Sequence, residues 1–383
     1  MNKIKPYFIT NSLEQLISLL DNGAFFVGGC VRDFLMHRPI GDIDMATPLT
    51  PDEVQQRLEK TNIRIIPTGI KHGTLTLLLS DGQKVEITSF RQDIKTDGRH
   101  ATVQFGTDIK QDALRRDLTI NALYMDKTGQ LTDFVGGLKD LKKKRIRFIG
   151  DANKRIQEDA LRILRFYRFY GLFIGSVPDK SAIAACRCHK NLLKNISIER
   201  IKDEVFKLLS HPIPYKALHL MKQSGILYQI FKNPVKLQSI RHLLLQERKA
   251  GFQASPLFRC WILNEKKDLP FKLSNAEKKQ ITLWQQAEQK PFKTQRDFLA
   301  ILFLYGKDTL INMLLMKKKN LNFSSFRYIQ QLQAPVCPFT PTDIMNHFNL
   351  TGKDISQKYE EAVRFWIKNN FCKKDIVFNA LLR

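Results

Sequence analysis

Cysteine is scarce in this chain, with six in 383 residues. That is too few for a disulfide framework and in keeping with a reducing compartment. No apolar run approaches the roughly 18 residues that a membrane-spanning helix needs. The first twenty residues carry Lys3, Lys5 and Glu14 but no apolar stretch ahead of a small-residue cleavage site, so no secretory signal is expected. Internal repeats and low-complexity tracts are missing, and no His-Asp dipeptide occurs, which excludes an appended phosphohydrolase of the His-Asp type. Acidic side chains are the largest shortage: 37 Asp and Glu stand against 62 Lys and Arg, a net charge of +25.

What is present is a folded chain. Hydrophobic residues make up 43% and aromatics 10%, which excludes wholesale disorder, and the length suits several domains. The charge is uneven. Residues 1–170 hold 27 basic and 21 acidic side chains, whereas residues 171–383 hold 35 and 16. Such an excess favours a polyanion, most often nucleic acid, over a plain solubility surface or an anionic membrane surface.

Two local grammars follow one another. Up to Gly150 the chain mixes short apolar, β-branched runs (25–27, 42–47, 63–66, 74–79, 84–90, 131–135, 145–149) with helical stretches over 30–37 and 110–125. Residues 91–109 read as a loop around Asp97-Gly98. Beyond Gly150 the period is helical: one long helix over 152–173, then 198–209 behind Ser197 as N-cap, then 215–230, 237–249, 275–289, 294–305 and 307–319.

Gly28-Gly29-Cys30-Val31-Arg32-Asp33 precedes Asp42-Ile43-Asp44. On a strand, residues i and i+2 face the same way, so Asp42 and Asp44 point together. Two carboxylates side by side repel unless a cation lies between them, and the hard ion Mg²⁺ suits oxygen ligands. The glycines let backbone N–H groups approach phosphates, and Arg32 adds a charge-assisted contact. Alone, Asp-x-Asp also fits a solvated strand end. Joined to the glycine turn, it resembles the nucleotidyltransferase superfamily of template-independent polymerases.

Arg115-Arg116-Asp117-Leu118-Thr119-Ile120-Asn121 is a second cluster. At helical spacing Asp117 and Asn121 share a face and suit ribose hydroxyls, with Arg116 able to reach a triphosphate. A surface ion-pair cluster is the alternative. Glu158-Asp159-Ala160-Leu161-Arg162-Ile163-Leu164-Arg165-Phe166-Tyr167-Arg168-Phe169 is the third. Asp159 and Arg162 at i and i+3 offer an acceptor beside a fork of donors, as the Watson–Crick edge of C or A requires. Arg165 and Arg168 continue that face, and Leu161, Leu164 and Phe169 bury the other. The competing reading is a surface salt bridge worth ~0.3–0.5 kcal/mol, which three arginines with few acids nearby speak against.

In order, Gly28–Asp33, Asp42–Thr47, Thr68–Gly73, Arg115–Ala122, Asp133–Gly137, Glu158–Arg168 and Ser197–Leu209 resemble the motifs of a class II tRNA nucleotidyltransferase, the CCA-adding enzymes of the bacterial tRNA nucleotidyltransferase and poly(A) polymerase family. The resemblance spans about residues 24–210. It implies an α+β chain: a nucleotidyltransferase (polymerase β-like) mixed-sheet head, then an all-α body and tail. The expected divisions are a catalytic head at 1–150, a base-reading helical neck at 151–210 and a tRNA-binding body and tail at 211–383.

The resemblance further implies that Asp42 and Asp44 bind Mg²⁺ and catalyse. Gly28, Gly29, Arg32, Arg115, Arg116, Asp117 and Asn121 are implied to bind the nucleotide, and Asp159, Arg162, Arg165 and Arg168 to read the base and hold phosphates. Asp33, Glu86, Asp97, Arg99 and Glu158 are implied in support. The substrates implied are CTP, ATP and the 3′ end of tRNA. Cytoplasmic location, no membrane and no obligate protein partner are expected. The stretch Arg91–Gly106 is similar to the loop that these enzymes use to switch from C to A, with His100 where relatives carry Arg. Around Phe339–Met345 and Thr351–Lys353 the tail is weakly similar to the family's. The alternatives are a poly(A) polymerase, a partial CC- or A-adding enzyme, or a non-catalytic RNA-binding protein. Cys186-x-Cys188-His189 lacks the partner pair of a zinc site.

Overall fold

The chain begins with a capped amphipathic helix. In α1 (Asn11–Leu19), the Thr10 hydroxyl accepts from Leu13 N–H, and Leu13, Leu16 and Ile17 are buried. The structure, a computed structural model, describes residues 6–382 except 22, 71–72, 97–100, 236 and 318–322. The expected site residues Asp97 and Arg99, and His100, lie outside the described residues. The chain divides into two units, residues 1–235 and 236–383.

In the first unit, β1 (Phe25–Val27) leads into α2 (Gly29–Leu35), followed by β2 (Ile43–Thr47) and α3 (Pro51–Leu58). Next come β3 (Arg64–Gly69), β4 (Thr74–Leu78), β5 (Lys84–Ser89), β6 (Arg91–Thr96), β7 (Ala101–Phe105) and α4 (Ile109–Arg115). A 3-10 turn at Thr119–Asn121 leads to β8 (Leu123–Met125), β9 (Leu131–Asp133), α5 (Gly137–Lys142) and β10 (Arg145–Ile146). Seven strands form one mixed sheet in the order β3-β4-β5-β2-β1-β8-β9. β2 runs antiparallel to β1 and parallel to β5, a register that sets Asp44 beside Glu86. Val27, Ala46, Phe90, Ala113, Ala122, Tyr124 and Ile149 form a core beside the strands that carry the motif residues.

The first unit continues with α6 (Ala152–Glu158), α7 (Leu161–Leu172), β11 (Val177–Pro178), α8 (Lys180–His189), α9 (Ile198–Leu209), α10 (Tyr215–Gln223) and α11 (Ile226–Phe231). α7 packs on both α9 and α10. In the second unit α12 (Leu237–Ala250), α13 (Pro256–Leu263), α14 (Asn275–Glu288), α15 (Gln295–Tyr305), α16 (Lys307–Lys317), α17 (Phe323–Gln331), α18 (Pro341–Phe348), α19 (Lys353–Lys368) and α20 (Lys374–Leu381) follow, all helical. Phe339, Ile344, Trp366, Val377 and Phe378 make a core there. Among the described residues no helix is long and apolar enough to cross a membrane.

Head, then helical body, matches the expected class, with several local corrections. The stretch 91–109 is not a plain loop: β6 and β7 pair antiparallel, Arg91 opposite Phe105. The helix expected over 110–125 ends at Arg115, because Arg116 is extended (φ −66°, ψ 164°). The single helix expected over 152–173 breaks at Asp159 (φ −152°, ψ 107°), whose carboxylate accepts from Leu161 N–H at 3.0 Å and starts the next helix. The stretch 215–230 breaks at Gly225, where φ is +75°. Ser197 stands at the N-cap of α9, yet its side chain makes no capping bond.

Candidate active site

Strand β1 delivers the chain to Gly28, whose φ of +72° favours glycine, and α2 starts at Gly29. A Cβ at Gly29 would stand 3.9 Å from Asp44 Oδ2 and 3.8 Å from an Arg32 nitrogen, in the space this turn leaves open. Asp44 sits one strand away on β2, with Asp42 just before it. Both line a cleft of about 570 Å³. Burial is the first cause that pushes the Asp44 carboxyl up to about 6; Glu86 and Asp42 raise it too, against the pull of Arg116 and Arg32.

Among the described residues neither Asp42 nor Asp44 has a cationic partner within ion-pair distance, and no third His, Cys or acid completes a cluster with them. A pair of hard oxygen donors facing open space fits a divalent ion such as Mg²⁺, which binds through one or two carboxylates and takes its other ligands from water and substrate phosphates. Glu86 stands opposite Asp44 in the sheet register but does not line the cleft; it pairs with Lys84 at 3.2 Å.

The cleft gathers the other expected contacts: Gly28, Gly29, Arg32, Arg115, Arg116, Asp117, Asn121, Asp159, Arg162, Arg165 and Arg168. Asp117 and Asn121 are not on one helix, yet a turn brings them together: Asn121 Nδ2 donates to Asp117 Oδ1 at 3.3 Å. Asn121 in turn accepts from Arg32 Nη1 at 2.7 Å, and Arg32 is held against Asp33 at 2.7 Å. Burial would raise the Asp117 carboxyl. The Arg165 charge and bonds from Arg165, Asn121 and Leu118 N–H outweigh it and hold the group well below the usual carboxylate range.

Acids lie closer to the neck arginines than the sequence suggested, and each arginine is paired. Arg162 pairs with Glu158, Arg165 with Asp117, and Arg168 with Glu204 at 2.7 Å. Asp159 pairs not with Arg162 but with Arg200, at 2.8 Å. Asp117, Glu204 and Arg200 come from other segments, so helical spacing could not reveal them; Glu158, four residues before Arg162, was within its reach. Phe169 is not on the opposite face either: it lines the cleft beneath Arg32, Arg165 and Arg168, whose guanidinium carbons lie 5.0, 5.8 and 4.2 Å from its ring centre. Leu161 lines the cleft as well.

Sequence reasoning missed Arg200, Lys207, Glu204 and Asp112. Asp112 is fully buried and holds both Arg115 (2.6 Å) and Arg116 (2.9 Å), and Tyr124 donates to it at 2.6 Å. Its i+3 and i+4 relation to the two arginines was a readable signal. Arg200, Glu204 and Lys207 recur at one-turn intervals on α9, a weaker signal. The second glycine pair, Gly136-Gly137, is structural: Asp133 accepts from Val135, Gly137 and Leu138 N–H, and a Cβ at Gly137 would collide with the Thr119 carbonyl oxygen.

Residues 24–147 match the family described as Poly A polymerase head domain, and 178–236 the family described as probable RNA and SrmB-binding site of polymerase A. The CCA-adding enzyme of Bacillus pumilus is 32% identical, over 97% of this chain and 94% of that one. Mouse mitochondrial CCA tRNA nucleotidyltransferase 1 is also 32% identical, over 94% and 86%. The Bacillus stearothermophilus CCA-adding enzyme, solved in complex with CTP, superposes with a TM-score of 0.76 at 24% identity, covering 98% of both chains. With that similarity running almost from end to end, the chain belongs to the CCA-adding tRNA nucleotidyltransferases.

Proposed function

We propose that this enzyme adds C, C and A to the 3′ end of tRNA from CTP and ATP without a nucleic-acid template, and that it works in the cytoplasm. The observation that supports the reading best is that one cleft is lined by Asp42, Asp44, Gly29, Asp159 and Arg162. In the reaction the terminal 3′ oxygen attacks the α-phosphorus, and a new O–P bond replaces the bond to pyrophosphate. Asp42 and Asp44 hold the divalent ions, two in the arrangement we favour. When bound, such ions lower the pKa of the attacking hydroxyl and offset charge on the triphosphate.

The chain's own residues do the rest. The Gly28–Gly29 turn admits the triphosphate. Arg32 and Arg116, oriented by Asp33 and Asp112, face it. Asp117 and Asn121 receive the ribose. Asp159 accepts from the exocyclic amino group of C or A, while Arg162 donates to the neighbouring ring nitrogen or carbonyl. Arg165 and Arg168 reach phosphate from the neck. The head at 1–150 is assigned chemistry, the neck at 151–210 base reading and the rest tRNA binding.

The deciding experiment incubates the protein with Mg²⁺ and tRNA lacking its 3′ CCA, with CTP and ATP alone and together. Extension by three nucleotides, only when both are present, is expected. A long tail from ATP alone would make it a poly(A) polymerase. Extension that stops after CC, or starts only from a CC end, would make it a partial enzyme, and no extension would leave an RNA-binding protein.

A further inference from the structure

Base reading by Asp159 requires its carboxylate to hold one orientation, although the residue stands in an extended break between two helices. Two bonds fix it. Oδ1 accepts from Leu161 N–H at 3.0 Å, and Oδ2 accepts from Arg200 Nη2 at 2.8 Å. Arg200 is on the first turn of α9, and α9 is tied to α7 by the Arg168–Glu204 pair. The guanidinium therefore reaches Asp159 from a braced platform. Arg162 does not share this duty, because it rests on Glu158 and on the Arg155 carbonyl.

We propose that Arg200 is a positioning residue for nucleotide choice: it locks the Asp159 carboxylate so that an oxygen lone pair, and never a donor, meets the incoming base. The inference rests on the reading of Asp159 as the base acceptor. An ionised carboxylate offers about four acceptor directions. Leu161 and Arg200 occupy two, and the remainder serve the amino group of C or A. The same fixed oxygen repels the carbonyl that U or G presents there. Without Arg200 the carboxylate turns about its side-chain bonds and yields to a carbonyl, so rejection of U fails more than acceptance of C.

The test measures kcat/KM for CTP and UTP on tRNA lacking its 3′ CCA, with wild type, Arg200→Met, Arg200→Lys and Asp159→Ala. Arg200→Met is expected to raise the UTP-to-CTP ratio roughly ten- to a hundredfold, the scale of one charge-assisted hydrogen bond, with KM for tRNA unchanged. Arg200→Lys is expected to restore most of the discrimination. If Arg200→Met does not fold, Arg200→Gln, which removes the charge and keeps a shorter polar side chain, must shift the ratio in the same direction. A parallel fall for both nucleotides, or a rise in tRNA KM alone, would overturn the proposal in favour of a packing or phosphate-binding role. If Asp159→Ala shifts the ratio and Arg200→Met does not, the Arg200 assignment alone fails. If neither shifts it, the reading of Asp159 fails as well.

Discussion

Asp117 of the head accepts the Nε–H of Arg165 in α7 at 2.5 Å, joining residues 48 apart in the chain. The pair links the proposed ribose pocket to the helix that carries the proposed base readers. Asp117 is buried, but the Arg165 side chain is about a third exposed and has Glu204 3.9 Å away, so removing the carboxylate costs on the order of 1 to 2 kcal/mol. Asp117→Asn should therefore lower the melting temperature and weaken nucleotide binding together. The pH dependence has a definite sign. The folded-state carboxyl lies well below its unfolded value of about 3.9, so its stabilisation is complete above that value and fades as pH falls below it. Melting curves from pH 3 to 8 should show the two proteins converging toward the acid end. A constant gap across that range would rule the ionic account out.

Among the described residues no cation stands within ion-pair distance of Asp42 or Asp44, and without a divalent ion their charges repel. Asp42→Asn should raise the melting temperature slightly in EDTA and abolish the further rise that Mg²⁺ gives the unaltered protein. Asp42→Ala and Asp44→Ala should reduce nucleotide addition by at least about 10³-fold, while tRNA binding, measured by filter retention, stays intact. Near-normal turnover in the double mutant would remove both residues from the chemistry.

Glu158 holds Arg162 as Arg200 holds Asp159, but at the donor side of the proposed base reader. Glu158→Gln keeps the shape and loses the charge. It should slow CTP and ATP addition alike, by roughly tenfold, and leave the UTP-to-CTP ratio near its original value, because the acceptor is untouched. Asp159→Ala should do the reverse, raising relative use of UTP while slowing CTP. Arg162→Ala should lower both C and A addition with little gain in U. A ratio that shifts as much in Glu158→Gln as in Asp159→Ala would contradict the division of roles.

The head strands were legible because alternation and β-branched content survive in short runs, and Asp42-Ile43-Asp44 announced itself through strand parity. The ion pairs were not. Arg165–Asp117 and Arg168–Glu204 span 48 and 36 residues, and local periodicity carries no information at that range. The break at Asp159 is not legible in the sequence because the helical pattern runs on through it; the structure marks it by the extended backbone of Asp159 and one bond from Leu161 N–H to its carboxylate. The pairing of β6 with β7 was hidden by the polar content of 91–96, which reads as loop until a partner strand is known.

The second unit should dominate the salt dependence of tRNA binding. Residues 236–383 contain 25 basic and 12 acidic side chains, an excess of +13 on a wholly helical scaffold. Each phosphate neutralised by such a surface releases condensed counter-ions, and log affinity falls with log salt by roughly 0.7 to 0.9 per phosphate. Lys278, Lys279, Lys353 and Lys373 are exposed, so their charge is directed to solvent and to any polyanion there. Changing all four to Gln should leave the fold intact, since surface substitutions cost within about 0.5 kcal/mol. It should weaken tRNA binding at low salt and make the log–log slope shallower by about one to three. Single-turnover addition at saturating tRNA should stay near the original rate, because none of the four lines the cleft. The measurement is tRNA affinity from 50 to 300 mM KCl in the full chain. An unchanged slope would assign the phosphate contacts to the first unit, where the cleft already concentrates seven arginines and Lys207.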